Sequence, residues 1–146
     1  MSIHTRRAAA ALGTVALLAV GTFATSPTAA APASRAAAQR LEATLRPSGD
    51  PDGSGEAHLT LNKARGKVCA TVTWEHIDDP DAAHIHRVSD GSIVVDLSGS
   101  VTGGARCTSG VPARTVGRIL RHPRRYYFNV HNATYPAGAI QGRLHR

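Results

Sequence analysis

Three histidines stand where extended strands would bring their imidazole rings together. His84 and His86 flank Ile85. Because alternate residues of a strand point to the same face, both imidazoles should face one side and Ile85 the other. His131 ends a second segment of strong β character, which runs from Tyr126 to His131. Converging imidazoles form either a copper or zinc site or a buried hydrogen-bond cluster.

The alternative to a metal site is a purely structural cluster. Imidazole N–H groups can donate to loop carbonyls where strands separate, and buried polar groups require such partners. A domain with few aromatic residues can also use histidines as semi-polar filler around Trp74, Tyr126 and Tyr127. The sequence favours this structural interpretation over metal binding by the three histidines, and it gives catalysis the least support. No cofactor is certain, and copper and zinc are the candidates.

Other segments with ligand-type residues are interpreted as loops. Residues 50–55 resemble the first half of a calcium loop, but the twelfth position is Leu61 rather than glutamate. The three aspartates between residues 78 and 81 fit a solvated loop. Neither His58 nor His76, the candidates for a fourth copper ligand, lies in a recognisable motif. Gly-x-Ser-x-Gly, Walker and His-Glu-x-x-His motifs are absent, so hydrolase and nucleotide chemistry have no support.

The N-terminal segment has the composition of a secretory signal peptide. Arg6 and Arg7 precede an uncharged, alanine-rich stretch over residues 8–24, and small residues at 28–30 offer a cleavage site. The apolar stretch is too weak for a spanning helix. We therefore expect residues 1–30 to be removed and the mature protein to have no stable membrane span.

What remains is enough for one domain. The 146 residues minus 30 leave 116, which can bury a single core. Residues 31–38 should form a short flexible tether, and residues 39–146 the domain. We expect a monomer that is secreted or associated with the cell envelope, with an extracellular protein or an envelope polymer as its partner and no role in nucleic-acid binding.

Two cysteines, Cys69 and Cys107, are present in the whole chain. An even number in an exported protein favours a disulfide, and only one intramolecular pairing exists. The chain-entropy model gives such a loop about 4 kcal/mol of stabilisation. Two isolated cysteines are too few for a structural zinc site without help from histidines.

Basic residues concentrate in one stretch near the C-terminus. The formal charge of +7 for the whole chain falls to +5 when Arg6 and Arg7 are removed with the signal peptide. This cluster of arginines is interpreted as a solvated face, with binding of an anionic glycan or wall polymer as the alternative. Its members are Arg114, Arg118, Arg121, Arg124 and Arg125.

The elements that must position these residues are mainly short strands. Apolar and polar residues alternate with a period of two, and turn-forming residues interrupt the pattern every eight to twelve residues, which is typical of a β-sandwich or barrel. After Pro112, Val116, Ile119 and Leu120 recur at helical spacing, which predicts one short helix within residues 111–121. Strands are predicted near residues 39–45, 57–61, 67–76, 84–86, 92–97, 125–131 and 139–144.

Several blocks of the chain resemble the CHRD (chordin) domain. The earlier blocks are Val68-Cys69, residues 83–86, residues 93–97 and Cys107. The C-terminal blocks are the most specific, and they comprise residues 122–131, 135–140 and 141–144. In the last block, Gln141 and Arg143 are exchanged around Gly142 relative to the family's ending. The resemblance covers about residues 39–145.

The resemblance implies an all-β, Greek-key or immunoglobulin-like (superoxide-dismutase-like) β-sandwich, here with one short helix and one disulfide. It also implies an extracellular binding or structural module without established catalysis, since CHRD domains occur in chordin and alone in exported microbial proteins. Growth-factor binding is not carried over, because the cysteine-rich modules of chordin are missing. The alternative is a copper- or zinc-binding protein using His84, His86 and His131, with redox activity as an option. Dismutase activity is not expected, because the dismutase's zinc-binding His/Asp cluster has no counterpart.

Overall fold

The computed structural model describes residues 37–146. The predicted signal peptide and most of the predicted tether lie outside these residues. Short 3-10 turns occupy Ser98–Ser100 and Pro123–Arg125, and one α-helix, α1, spans Ala113–Arg121. The strands are β1 (Gln39–Pro47), β2 (Ser54–Asn62), β3 (Lys67–Glu75), β4 (Ala82–Arg87), β5 (Ile93–Asp96), β6 (Cys107–Thr108), β7 (Tyr126–His131) and β8 (Ile140–Arg143). No helix in this part of the chain is long and apolar enough to cross a membrane.

All eight strands form one antiparallel sheet in the order β5-β4-β7-β8-β1-β2-β3-β6. The two edge strands approach each other, because the hydroxyl of Thr108 on β6 donates to the carbonyl of Asp96 on β5. The sheet is therefore nearly barrel-like. The prediction of an all-β fold with one helix and one disulfide is confirmed. The Greek-key, immunoglobulin-like sandwich arrangement is a finer prediction that this strand order does not confirm.

Alternation along the strands creates the core. On β1 and β2, Leu41 lies opposite Leu59 and Ala43 lies opposite Ala57, and all four are at most 1% exposed. Their neighbours along each strand are exposed. Because a strand sends successive side chains to opposite faces, this pattern fixes which face of the curved sheet is the interior.

The helix closes part of this core. Val116 and Ile119 are fully buried and Leu120 nearly so, whereas the three arginines of α1 are exposed. Apolar side chains three and four residues apart share one face of a helix, and burying that face stabilises a helix too short to form alone. The helix predicted within residues 111–121 is confirmed.

The two cysteines form the predicted disulfide. Cys69 on β3 lies directly opposite Cys107 on β6, with a Cα–Cα distance of 3.9 Å. The two-residue strand β6 is paired only through this region of β3, at Val68 and Cys69. The covalent bond therefore fixes a short edge strand that its own hydrogen bonds would hold weakly.

Candidate metal centre

The three histidines predicted from the sequence lie together on the outer face of the sheet. His84 pairs with Asn129, and His131 pairs with Ala82, across the β4–β7 ladder. Ile85, between the two histidines of β4, is fully buried on the core side. The expectation that His84 and His86 share a face opposite Ile85 is met. One imidazole nitrogen from each histidine lies within 4.8 Å of the other two.

Two connections fold over this outer face and bury it. His86 is 7% exposed and His131 is 8% exposed. On one side, residues 132–139 turn back over β7, where the side-chain amide of Asn129 donates to the carbonyl of Ala137 over 3.1 Å. On the other side, the β4–β5 turn brings the carbonyl of Gly91 against His86. Polar side chains on the outside of the sheet are thereby shielded from water.

Backbone carbonyls hold two of the rings by one nitrogen each. Nδ1 of His86 lies 2.8 Å from the carbonyl oxygen of Gly91, and Nδ1 of His131 lies 3.0 Å from that of Pro136. The His86 ring also stacks on Tyr127, with centroids 5.0 Å apart and planes inclined by 14°. Because a carbonyl can only accept a hydrogen bond, both Nδ1 atoms must carry a proton. In the neutral ring, Nε2 then carries no proton and has a free lone pair.

The lone pairs of these two rings have different surroundings. Nε2 of His131 lies 3.1 Å from Nδ1 of His84. Nε2 of His86 is buried and has no hydrogen-bond partner among the described residues. A buried acceptor without a partner costs about 1–3 kcal/mol, so this atom is an exception that requires an explanation.

Asp96 faces the third ring from the neighbouring strand. It lies opposite His84 in the β4–β5 ladder, and its Oδ1 is 3.7 Å from Nε2 of His84. Both the backbone N–H and the hydroxyl of Ser98 donate to the same carboxylate oxygen, over 2.9 and 2.7 Å. These hydrogen bonds lower the pKa of Asp96, so it is ionised at neutral pH. An anion that faces a ring nitrogen favours a proton on that nitrogen.

Burial favours the neutral form of His84 and His131. Desolvation, followed by the nearby His131 ring, lowers the pKa of His84, although Asp96 opposes the shift. Desolvation also lowers the pKa of His131, against the opposing effects of Pro136 and Asp81. Only the neutral imidazole can donate a lone pair to a metal ion. The electrostatics of the cluster therefore favour the ligating form of both rings.

The geometry fits a small tetrahedral ion after a limited adjustment. Zinc–nitrogen bonds of about 2.0–2.1 Å place two ligand nitrogens of a tetrahedral site about 3.3 Å apart. The 3.1 Å between His84 Nδ1 and His131 Nε2 meets that requirement. The nitrogen of His86 must move inward, since the set of three spans up to 4.8 Å. A shallow depression of about 390 Å³, edged by the 55% exposed Ile93, opens the cluster to solvent.

Several contributors to this centre were not predicted from the sequence. Asp96 lies in the strand predicted over residues 92–97. Its place beside His84 depends on the register in which β5 pairs with β4. The carbonyls of Gly91 and Pro136 are backbone groups, so the residue types at these positions do not predict their contacts with the histidines. Tyr127 was anticipated as a neighbour of the histidines, and it stacks on His86.

Other residues with ligand chemistry lie elsewhere. His58 is exposed on β2 between Glu42 and Glu56, at 3.5 and 3.6 Å, and His76 follows β3 with a positive φ of 57°. Asp78 accepts a hydrogen bond from the hydroxyl of Thr134. None of these residues belongs to the cluster that could hold a metal ion within the described part of the chain.

The fold and the site together define a small, antiparallel all-β domain with a disulfide-anchored edge and an outer-face histidine cluster. A sequence model of the CHRD domain matches residues 31–144, so the chain belongs to the CHRD domain family. No curated protein and no solved structure matched the chain.

Proposed function

We propose that this CHRD protein acts outside the cytoplasm as a binding module and that its ligand is one Zn²⁺ or Cu²⁺ ion. The ion would be held by Nδ1 of His84 and by Nε2 of both His86 and His131. The observation that carries the proposal is the buried lone pair on Nε2 of His86, which has no partner among the described residues. A cation bound among the three rings would satisfy it.

Counting protons supports a cation over a purely structural cluster. If His84 carries its proton on Nδ1, it donates to His131, but its Nε2 lone pair then faces the Asp96 carboxylate, and two acceptors oppose each other. If the proton sits on Nε2, it faces the Asp96 carboxylate favourably, and the three remaining lone pairs are free for one ion. The second arrangement, filled by a metal ion, gives all three ligand nitrogens a partner and turns the Nε2 proton of His84 toward the Asp96 carboxylate.

The chemistry of the donor set limits the metal and its role. Three neutral imidazoles suit zinc and copper, and the usual order of affinities favours Cu²⁺ over Zn²⁺. The opening of the site leaves one coordination position for water or an added ligand. The Cys69–Cys107 disulfide supports a location outside the reducing cytosol. The proposal covers binding and assigns no reaction.

The test is calorimetric titration of the purified, oxidised protein with Zn²⁺ and Cu²⁺, beside urea unfolding with and without metal. We expect binding of one ion per chain and a higher free energy of unfolding with metal, by about 2.7 kcal/mol at a hundredfold excess over Kd. His86→Ala should lose most of the affinity and all of the metal-dependent stabilisation. His58→Ala, an exposed histidine on β2, should retain both.

Metal binding and a purely structural histidine cluster predict opposite results for this pair of variants. A structural cluster predicts no stoichiometric metal binding and no metal-dependent stabilisation of the wild-type protein. His86→Ala would then only destabilise the fold, by about 1–3 kcal/mol through the lost partner of Gly91. Equal metal affinity in wild type, His86→Ala and His58→Ala would also overturn the proposal, because binding would then not depend on the cluster.

A further inference from the structure

A second region, which we call the arginine surface, consists of two adjoining depressions around the 3-10 turn Pro123–Arg125. The first has a volume of about 520 Å³, and its arginines are Arg87, Arg118, Arg124, Arg125 and Arg143. The second has a volume of about 490 Å³, and its arginines are Arg121, Arg124, Arg125 and Arg146. Arg114, which belongs to the cluster predicted from the sequence, lines neither depression.

The positive charge of this surface is largely uncompensated. Among the described residues, Arg87 is the one arginine of the surface with a carboxylate in ion-pair contact, to Asp90 over 2.7 Å. Arg143 donates to the carbonyl of Arg124, and Arg146 donates to that of Leu120, each over 2.9 Å. Such bonds hold guanidinium groups in place without neutralising them. Clustered like charges repel one another, and an anionic ligand would relieve that repulsion.

We propose that the arginine surface binds a linear polyanion with repeated phosphate groups, of the kind that phosphodiester-linked envelope polymers present. A guanidinium group donates two parallel hydrogen bonds to a phosphate, which makes arginine well suited to this ligand. Arg124 and Arg125 line both depressions. The two depressions thus adjoin at these two arginines, so that a single chain lying across both can bring successive phosphates to them.

The surface suits such a polymer better than a nucleic acid. Proteins that bind single strands without sequence preference stack bases on open aromatic faces. The aromatic residue that lines the first depression, Tyr126, is only 6% exposed. The ligand class is therefore one whose recognition depends on its phosphates and not on its bases.

The experiment is a binding titration with long-chain inorganic polyphosphate by fluorescence anisotropy in EDTA, so that metal ions play no part. Orthophosphate, polygalacturonate and single-stranded DNA of one base are compared under the same conditions. Arg124→Ala/Arg125→Ala is the test variant, and Arg65→Ala/Arg106→Ala, two exposed arginines outside the surface, is the charge-matched control. Arg124→Lys/Arg125→Lys separates the positive charge from the bidentate geometry of the guanidinium group.

We expect polyphosphate to bind more tightly than the other three ligands. The test variant should lose affinity by a factor on the order of ten, since charge-assisted bonds to two guanidinium groups are removed. The slope of log affinity against log salt should fall by about 1.5, because each phosphate contact contributes about 0.7–0.9. The lysine variant should keep the slope but bind more weakly. Equal losses in the control variant, or a preference for DNA or polygalacturonate, would overturn the proposal.

Discussion

At the scale of single residues, the chemistry of the cluster depends on which nitrogen of His84 carries a proton. Ionised Asp96 faces Nε2 at 3.7 Å, while Nδ1 faces His131 at 3.1 Å. A proton on Nε2 frees Nδ1 to bind a metal ion. In the proposed site, Asp96 would therefore act through His84 and not as a ligand, in the way that carboxylates commonly orient histidines at metal sites.

Replacing Asp96 tests this positioning role. Asp96→Asn removes the charge that holds the proton on Nε2, and we expect Zn²⁺ affinity to fall by about 10- to 100-fold. Asp52→Asn, an exposed change in the β1–β2 turn, should have no effect. The measurement is calorimetric titration of both variants. Unchanged affinity in Asp96→Asn would show that His84 is oriented without the carboxylate.

The lowered pKa values of His84 and His131 predict how the metal-free protein responds to acid. Because each folded-state pKa lies below the ordinary value of 6.5, the unfolded chain binds more protons as the pH falls. The stability from the neutral rings is complete above about pH 6.5 and is lost as pH falls through the folded-state values. In urea unfolding in EDTA, the free energy of unfolding should decrease between pH 7.5 and 5. A His84→Gln/His131→Gln variant should show a smaller decrease over the same range.

The sequence predicts part of this centre because one part of its geometry is local. Alternation along a strand suffices to place His84 and His86 on one face. His131 required only the assumption that its strand lies beside theirs, and β7 does pair with β4. The position of Asp96 depends on the irregular register between Ile85 and His86. Residue types and local spacing do not encode such a register, so this member of the site could not be foreseen.

At the scale of elements, the connection from β7 to β8 does more than reverse the chain. It brings the carbonyl of Pro136 to His131 and that of Ala137 to Asn129. Gly138 completes this connection with a φ of 131°, and a β-carbon there would collide with the side-chain amide of Asn129. The loop can therefore lie over the histidines only with glycine at this position.

Gly138→Ala should consequently damage both the fold and the site. We expect a loss of about 1–3 kcal/mol in the free energy of unfolding from the strained backbone, and more from the collision. Metal affinity should also fall, because the loop carries the carbonyl that orients His131. The control is Gly103→Ala, where φ is 77° and a β-carbon meets no atom within 4 Å. If the two variants lose equal stability and keep equal metal affinity, packing of the loop is not what shapes the site.

Other elements differ in how far their sequence predicts them. The helix α1 follows from the spacing of Val116, Ile119 and Leu120, a pattern contained in one segment. The strand β6 was not predicted, because two residues carry no periodicity. It exists through its pairing with Val68 and Cys69. Ile93 lies in the strand predicted over residues 92–97, and it is 55% exposed at the mouth of the histidine cluster because it lies opposite His86 on the outer face of the sheet.

At the scale of the whole molecule, the two edges of the sheet are connected to the histidine cluster. The disulfide fixes β6 to β3. From β6, the hydroxyl of Thr108 donates to the carbonyl of Asp96 on β5. Asp96 in turn faces His84. A continuous set of contacts therefore runs from the disulfide, through the approach of β6 to β5, to the His84 ring of the proposed metal site.

Removing the disulfide tests this connection together with the stability of the fold. Closure of a loop with a sequence separation of 38 should stabilise the protein by about 4 kcal/mol in the chain-entropy model. We expect Cys69→Ala/Cys107→Ala to lose stability of that order in urea unfolding. Because β6 would then be held to β3 by hydrogen bonds alone, its contact with Asp96 should weaken, and Zn²⁺ affinity should fall several-fold, measured under conditions where the variant is still folded.

Thr108→Val separates the two effects of the disulfide. It keeps the covalent bond and the shape of the side chain but removes the hydroxyl that reaches Asp96. If the contact between β6 and β5 keeps the metal site ordered, Thr108→Val should lose about as much metal affinity as the cysteine variant while losing far less stability. If only overall stability matters, Thr108→Val should bind Zn²⁺ like the wild type. The comparison decides whether closing the sheet serves the site as well as the fold, because Thr108→Val removes the hydrogen bond to Asp96 and keeps the covalent bond, whereas the cysteine variant removes the covalent bond and keeps the hydroxyl.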